Sequence, residues 1–395
     1  MQNKVLDERA SKALNKKAAY GGDINIEDYE EPDTNPSVSQ KDRERLLDIG
    51  IQEDERSGTY MQFDASVLRE ETSQKGIEVM SINRALEKYD WLKDYWWRAV
   101  QVDQDKYTAY SHTHPVKGYF IRALPGVKAT FPVQACLYMK SSDILQNVHN
   151  IVIAEEGSEL DIITGCAVGE KNNKGLHIGI SEFYVKKSAK LTFTMIHSWG
   201  EDVAVRPRSG AIVEENGTFL SNYVNMRPTR STQMYPTAHA KENATVRYST
   251  IVVAKEGSSI DVGSRTHLEG RGARTEMISR SISTGGDVYL RGDIVGEAEA
   301  AKGHLECRGL ILGKKGMIYS VPELTAKLSD VDLSHEAAIG KIADEQIFYL
   351  MSRGLSEDEA TSVIVRGFLN VDIKGLPPAL DAEIKRIIDS SVGSL

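Results

Sequence analysis

Cysteine is scarce in this chain of 395 residues, and the three present, Cys136, Cys166 and Cys307, lie far apart. Thiols so few and so widely spaced exclude a disulfide framework, and no Cys-x-x-Cys pair occurs. A permanent iron–sulfur cluster usually draws on four thiolates, which one subunit does not have. Free thiols in this number predict a cytoplasmic protein.

Long apolar runs are absent as well. No stretch approaches the roughly 20 residues needed to span a bilayer, and the amino-terminal residues have no apolar signal core. A net charge of -9 argues against nucleic acid and anionic membranes as partners. With 41% hydrophobic and 27% charged residues, the composition is typical of a soluble globular protein.

Several sequence signatures of enzymes are missing. The chain has no Gly-x-x-x-x-Gly-Lys-Ser/Thr phosphate loop, no nucleophile elbow and no His-Glu-x-x-His helix. We therefore do not expect it to hydrolyse ATP alone.

A recurring turn pattern is present between about residues 115 and 325. Charged or polar residues precede a small turn residue, and alternating apolar residues follow, as in residues 154–162 and 254–262. The turn positions recur roughly every 28 residues, with one half step; they are Gly157, Ser188, Asn216, Asn243, Gly257, Gly286 and Gly316. This period predicts stacked coils with positive φ at the corners, as in a flattened parallel β-helix. An ordinary antiparallel sandwich is the alternative.

The flanking regions differ from this core. Residues 1–114 are expected to be mostly helical, with a partly disordered acidic stretch from Asp23 to Asp33. Residues 81–97 hold three of the four tryptophans and are expected to pack against the core, the alternative being a partner-binding surface. Residues 326–395 predict a helical unit: one helix ends at Gly354, a second begins at residues 356–359, and a third starts at residues 377–378.

Cys307 is the residue around which a site can be argued. In its strand-like run, alternation places Cys307 on one face and His304 on the other, which makes His304 a poor co-ligand. His335 and Glu336, after the last coil, are better candidates, because thiolate, imidazole and carboxylate suit iron, zinc or sulfane sulfur. Such a site is expected at the surface. The alternative is an inert buried cysteine and a surface His–Glu pair that begins a helix.

The sequence around the other two cysteines gives less indication of a functional site. Cys166 follows a strand at a coil end, and taken alone it is expected to be a packed small hydrophobe. Cys136 is expected to be structural as well.

Several segments resemble the SufB/SufD family of iron–sulfur cluster assembly scaffolds. They are residues 166–177, 191–199, 306–313, 334–342, 344–360 and 365–368. The resemblance covers roughly residues 115–395 and is most specific from Cys307 onward, whereas the N-terminal region is too divergent to use.

The resemblance implies a mainly β fold. A right-handed parallel β-helix core at residues 115–325 would lie between an N-terminal helical region, residues 1–114, and a C-terminal helical domain, residues 326–395. It implies a scaffold for nascent clusters, not an enzyme, which works with the ABC-type ATPase SufC, receives sulfur from a donor and transfers the cluster to acceptor proteins. The ATPase would dock on the C-terminal domain, with partner-binding residues Phe348, Tyr349, Arg353, Gly354 and Phe368.

The resemblance also implies roles for individual residues. The cysteine and glutamate at the positions of Cys307 and Glu336 carry cluster assembly at a dimer interface, and His335 matches a histidine that SufD-type members contribute. Cys166 matches a cysteine associated with sulfur transfer through the β-helix interior. Because both His335 and Glu336 are present, the chain is more similar to SufB, and a homodimer or a SufB–SufD-type heterodimer would supply the remaining ligands. Flavin binding is suggested only by family analogy, since no residue here argues for it.

Two other functions stay open. A β-helix enzyme acting on carbohydrates or esters would use paired acids such as Asp261 and Glu269. A regulatory or structural partner of the ATPase would bind it without a cluster site of its own.

Overall fold

The structure is a computed structural model that describes residues 2–32, 39–47, 49, 51, 55–169 and 174–369. Its helices are α1 Gln2–Ala13, α2 Gln40–Leu47, α3 Ile82–Lys88, α4 Lys106–Thr113, α5 Asp344–Met351 and α6 Glu357–Leu369, with 3-10 helices at Ile26–Asp28 and Asp90–Asp94.

Within the described residues, twenty strands form two sheets. Sheet 1 has the order β2-β1-β5-β7-β9-β11-β14-β16-β18-β20. Its strands are β1 Gly58–Phe63, β2 Ser66–Thr72, β5 Val133–Met139, β7 Glu159–Val168, β9 Lys190–Ser198, β11 Thr218–Asn225, β14 Thr245–Ala254, β16 Arg274–Ser283, β18 Lys302–Ile311 and β20 Asp332–Gly340.

Sheet 2 has the order β19-β17-β15-β12-β10-β8-β6-β4-β3, and β13 pairs with β10 and β15 beside β12. Its strands are β3 Ile77–Ser81, β4 Tyr119–Ala123, β6 Ile144–Ala154, β8 Lys174–Val185, β10 Asp202–Val213, β12 Ser231–Met234, β13 Thr237–Ala240, β15 Ser259–Leu268, β17 Asp287–Gly296 and β19 Met317–Ala326.

The chain alternates between the two sheets and so forms a β-solenoid of about seven turns. Strands of successive coils pair in parallel and in register, for example β16 with β18 and β18 with β20. The exceptions are the antiparallel pairs β1–β2 and β3–β4 at the first coil. Parallel pairing confirms the predicted parallel β-helix and rules out the antiparallel sandwich.

The corners of the coils explain the half step in the repeat. Ser188, Asn216 and Asn243 have φ between 53° and 56° where the chain enters sheet 1, whereas Gly257 and Gly316, at 84° and 90°, precede strands of sheet 2. Asn243 and Gly257 therefore lie at opposite corners of one coil. Positive φ favours Gly and Asn, which is why these residues mark the turns.

Apolar side chains fill the space between the sheets and also cover the outer faces. The interior cluster runs from Tyr60 to Ile318. On sheet 2, two outer clusters include side chains of α1, α4 and the tryptophan segment. On sheet 1, Leu46 of α2 and Val365 and Leu369 of α6 pack against the strands. The expectation that residues 81–97 pack against the core is thus confirmed for Ile82, Leu92 and Trp97, which are buried.

Some elements lie outside the ranges expected from the sequence. β1, β2 and β3 precede residue 115, and β20 follows residue 325. The described part of the acidic stretch is held to α4 and to the solenoid: Asp23 pairs with Lys106 of α4 at 2.6 Å, and the backbone N–H of Glu30 donates to the carbonyl of Asp143, just before β6. The helix expected from residue 377 lies outside the described residues.

No helix among the described residues is both long enough and apolar enough to cross a membrane.

Candidate functional site

Cys307 is fully buried inside the solenoid, one coil from its end. It lies on β18 between Ser279 of β16 and Ala337 of β20, and its exposed fraction is 0%. The expectation of a surface thiol is therefore wrong for the isolated chain. The sequence pattern could not show this, because burial depends on β19 and β20 closing over the residue.

Burial also keeps this thiol protonated. Desolvation raises the pKa of Cys307, and the nearby Ser320 hydroxyl and Arg280 guanidinium oppose the increase only in part. Ser320 on β19 belongs to the opposite sheet, so the thiol faces the interior. A protonated thiol is a weak nucleophile and a weak metal ligand, so Cys307 as it is buried here is not ready to bind a metal ion.

The two residues predicted to accompany Cys307 lie on opposite faces of β20. His335 aligns with Leu305, on the face that Cys307 shares, whereas Glu336 aligns with Glu306 on the outer face. Both His335 and Glu336 are exposed. His304 also lies on the outer face, where its Nδ1 is 2.8 Å from Oγ of Ser334, which agrees with its exclusion as a co-ligand.

A row of alternating charges on the outer face ends at Glu336. An Nη2 atom of Arg280 lies 2.6 Å from Oε1 of Glu306, and Arg308 contacts the carboxylates of both Glu306 and Glu336 at 2.7 and 2.9 Å. The Arg308–Glu306 pair lies within β18, whereas Arg280–Glu306 joins β16 to β18 and Arg308–Glu336 joins β18 to β20, so the last of these stabilises the attachment of the last coil. Sequence analysis missed Arg280 and Arg308; their 28-residue spacing within the repeat is the signal that could have indicated them.

No group of three or more His, Cys, Asp and Glu side chains in the described part of the chain is arranged to hold a metal ion. Cys307, His335 and Glu336 of one subunit therefore do not form a ready-made site. Any cluster bound here needs donors from a second molecule, a change in the last coil, or both.

Cys166 lies in the interior of the solenoid beside buried polar side chains. It aligns with His197 on the next strand of sheet 1, and Nδ1 of His197 is 3.1 Å from the hydroxyl of Tyr223. Nδ1 of His177, from the opposite sheet, is 2.9 Å from Oε1 of Gln146. These imidazoles were not predicted, although the repeat places His197 exactly one coil after Cys166.

Desolvation determines the charge of these groups. Burial raises the pKa of the Cys166 thiol, lowers the pKa of His177 to about 3, and lowers that of His197 well below its usual value. The imidazoles are neutral at physiological pH and can accept a proton or a hydrogen bond. Cys136, in contrast, points to the outer cluster of sheet 1 and packs with Phe63 and Tyr138, so it does not share the interior with Cys166.

The C-terminal helices present an exposed aromatic pair. Phe348 and Tyr349 of α5 are 66% and 59% exposed, and the Arg353 guanidinium lies 5.3 Å from the Tyr349 ring centroid. Gly354 has φ of 98° just after α5, as a helix-terminating glycine requires. Phe368 is half-buried and packs on the outer cluster of sheet 1.

The acids considered for an enzymatic site are both neutralised. Asp261 makes two contacts with Arg291, at 2.6 and 3.0 Å, and Glu269 contacts His239 and Lys241. Neither carboxylate is free to act as a general acid or base, so this pair does not favour a hydrolase.

The comparisons with known proteins agree with this architecture. The family model for the SufBD core domain of the SUF system for iron–sulfur cluster assembly matches residues 137–368. The chain belongs to the SufBD family. It is 55% identical to an iron–sulfur cluster assembly SufBD family protein of Archaeoglobus fulgidus over 350 residues, which cover 88% of this chain and 94% of that protein.

More distant relatives carry the same assignment. A SufBD family protein of Methanothermobacter thermautotrophicus is 48% identical over 400 residues, covering 97% of this chain and 98% of that protein. The iron–sulfur cluster assembly protein SufB of Bacillus subtilis is 30% identical over 393 residues, covering 93% and 84% of the two chains. The chain is thus an iron–sulfur cluster assembly protein of the SUF type.

Proposed function

We propose that this SufBD family protein is a scaffold on which a nascent iron–sulfur cluster is built and then transferred to acceptor proteins. The observation that carries the proposal is the open end of the solenoid next to Cys307. Leu324 and Ile339 align with the interior residues Ile294 and Gly309, yet they are 39% and 40% exposed. Apolar side chains left exposed at the end of an interior row form a surface that another protein surface is expected to cover.

The cover that fits is the same end of a second scaffold subunit, in a homodimer or a SufB–SufD-type heterodimer. β19 and β20 are the last strands of their sheets in the described chain, and such edges can pair with another chain. Two-fold pairing would bring two copies of Cys307, His335 and Glu336 to one interface. That would supply the thiolates that a single subunit lacks.

Exposure of the thiol would be coupled to an ABC-type ATPase similar to SufC. α5 begins four residues after the end of β20, so a force on the C-terminal helices acts directly on the strand that covers Cys307. The aromatic pair Phe348 and Tyr349, together with Arg353 and Gly354, forms the proposed docking surface. Phe368 would support it through α6.

Sulfur would reach the site through the interior, starting from Cys166. Cys166 on β7 and Cys307 on β18 are separated by five strand-to-strand steps in sheet 1, or about 24 Å at roughly 4.8 Å per step. A single transfer of sulfur from one thiol to the other cannot span that distance. The proposal therefore requires either intermediate sulfur-carrying groups or a sulfide that diffuses through the interior. A cavity of about 20 Å³ lined by Ser209, Ser221 and Tyr223 lies along the way, large enough for one water-sized group.

Anaerobic reconstitution with ferrous iron and sulfide tests the cluster site. The wild-type protein should acquire iron–sulfur absorption, and Cys307→Ala should lose it. His335→Ala and Glu336→Gln should reduce the iron bound per dimer. Cys136→Ala is the matched control, because that thiol is buried on the other face of sheet 1. Equal cluster loading in wild type and Cys307→Ala would refute the site.

The second candidate is a regulatory or structural partner of the ATPase without its own cluster, which the full burial of Cys307 favours. Affinity capture of a SufC-like ATPase, combined with iron and sulfur uptake, distinguishes the scaffold from the regulatory partner. Phe348→Ala with Tyr349→Ala should abolish capture, whereas Phe131→Ala, an exposed phenylalanine at the other end of the solenoid, should not. Capture by a wild-type protein that takes up neither iron nor sulfur would support the second candidate.

A further inference from the structure

Two histidines on the outer face of sheet 2 stack on successive coils. His239 of β13 and His267 of β15 are in-register partners. Their ring planes differ by 6° and the ring centroids are 5.0 Å apart. Both side chains are partly exposed, at 36% and 26%. We propose that this imidazole pair binds a divalent transition-metal ion.

Each imidazole is anchored through Nδ1 by a glutamate. Nδ1 of His239 lies 2.6 Å from Oε1 of Glu269, and Nδ1 of His267 lies 3.5 Å from Oε1 of Glu297. A carboxylate at Nδ1 favours the tautomer that carries its hydrogen there, which leaves a lone pair on Nε2. Metal-binding histidines in proteins are usually oriented by this kind of contact.

The Nε2 atoms of both rings are available. No hydrogen bond to either atom occurs among the described residues, in which the contacts of His239 and His267 are those of their Nδ1 atoms and ring faces. Because the rings are nearly parallel and both contact a glutamate at Nδ1, their Nε2 lone pairs run side by side in neighbouring planes. One ion can meet both nitrogens once the rings turn out of the stack so that the two lone pairs converge.

The lysines beside the glutamates determine which groups act as ligands. Lys241 contacts Glu269, and Nζ of Lys327 is 2.7 Å from Oε1 of Glu297. The carboxylates are thus neutralised and serve as anchors, which leaves the imidazoles as the donors. Imidazole nitrogen suits iron, zinc, copper and nickel better than it suits magnesium or calcium.

The spacing indicates a weak, exchangeable site. Equivalent atoms on neighbouring strands are about 4.8 Å apart, whereas two metal–nitrogen bonds of about 2.1 Å at a tetrahedral angle place the nitrogens about 3.4 Å apart. The rings must therefore rotate and bring their Nε2 atoms about 1.4 Å closer, which partly exposed side chains can do. The chain contributes two donors, and water completes the coordination, in agreement with the absence of a larger ligand group in the described residues.

The biological use of this site rests on the proposed function. On a cluster scaffold, the ion would be ferrous iron held on the surface before assembly. Binding itself does not depend on that function, so the two can be tested separately.

Calorimetric titration of the full chain with Zn²⁺ tests the site. Every protein in this titration carries Cys307→Ala, so the Cys307 thiol does not contribute to Zn²⁺ binding. We expect His239→Gln with His267→Gln to bind one equivalent fewer, and each single variant or Glu297→Gln to bind that equivalent at least about tenfold more weakly. The matched control is His304→Gln, a half-buried histidine on the outer face of sheet 1 that should retain every equivalent.

Unchanged stoichiometry and Kd in the double variant would overturn the proposal, as would an equal loss in His304→Gln. A second measurement needs no substitution at the site: Zn²⁺ should protect His239 and His267 of the wild-type chain from diethyl pyrocarbonate, and modification at an unaltered rate would also overturn it. Because the Cys307→Ala background has no assembly thiol, a failure here leaves the cluster assignment untouched.

Discussion

The guanidinium of Arg308 lies 2.9 Å from the carboxylate of Glu336, and both side chains are on the outer face of sheet 1. Cys307 precedes Arg308 in the same strand and therefore points the other way. A cluster that uses Cys307 and Glu336 of one subunit would require the last coil to change. With donors from two subunits Cys307 would still have to be uncovered, but Glu336 of the same subunit would not have to change face, which supports the proposed dimer interface.

The three thiols should be nearly unreactive in the folded protein. All are buried, and burial raises the pKa of Cys136, Cys166 and Cys307. Titration with Ellman's reagent at pH 7 should detect three thiols in urea and less than one rapidly reacting thiol without it. Addition of the SufC-like ATPase and ATP should increase the rate at which Ellman's reagent modifies Cys307, and should not change that rate for the other two thiols. A fast-reacting thiol in the isolated chain, mapped to Cys307, would contradict its coverage by the last coil.

Stability should fall as the solution becomes mildly acidic. The pKa of His177 is lowered to about 3 and that of His197 is well below normal, because burial disfavours the charged form. The unfolded chain binds these protons below pH 6.5 and the folded chain does not, so protonation favours unfolding. Between pH 7 and 5.5 the free energy of unfolding should decrease by about 2–3 kcal/mol from these two groups.

Urea unfolding at the two pH values measures this effect. His177→Gln should remove about half of the 2–3 kcal/mol that these two groups contribute, whereas His304→Gln, at a half-buried position on the outer face of sheet 1, should leave it intact. An identical pH dependence in His177→Gln would show that other groups cause it.

Ala300→Gly should stabilise the protein. Ala300 is exposed and has φ of 56° at a coil corner, where the Cβ atom is unfavourable and glycine is not. We expect a gain of about 0.5–1 kcal/mol in the free energy of unfolding. The neighbouring Ala301→Gly is the control: Ala301 is buried and has no positive φ, so it should lose a similar amount. Destabilisation by both variants would contradict the argument.

Arg208→Met should destabilise the attachment of the N-terminal region. Nε of Arg208 lies 2.6 Å from Oδ2 of Asp105, and both side chains are buried. Asp105 also accepts the first N–H groups of α4, so its carboxylate would stay buried without its cation. We expect a loss of about 3 kcal/mol, measured as a shift in Tm or urea midpoint. Arg271→Met, which removes an exposed pair with Glu299, should change stability by less than about 0.5 kcal/mol.

The repeat was predictable because a solenoid copies the same local requirements in every coil. Turn residues such as Asn216 and Gly257 indicate positions of positive φ, and the alternation of apolar and polar residues indicates which side chains face inward. The same logic separated Cys307 from His304 correctly. It did not detect β1, β2 and β3, because the first coil pairs partly antiparallel and does not follow the period of the later ones.

The amino-acid sequence by itself determined the coil period, the opposite faces of Cys307 and His304, and the helices after the last strand, since these depend on backbone preferences and on alternation along one strand. Only the tertiary structure decided that Cys307 is covered, that Glu336 is held on the other face by Arg308, and that His239 stacks on His267. These relationships depend on contacts between coils about 28 residues apart. Burial and charge pairing are properties of the packed coils, and no single coil contains them.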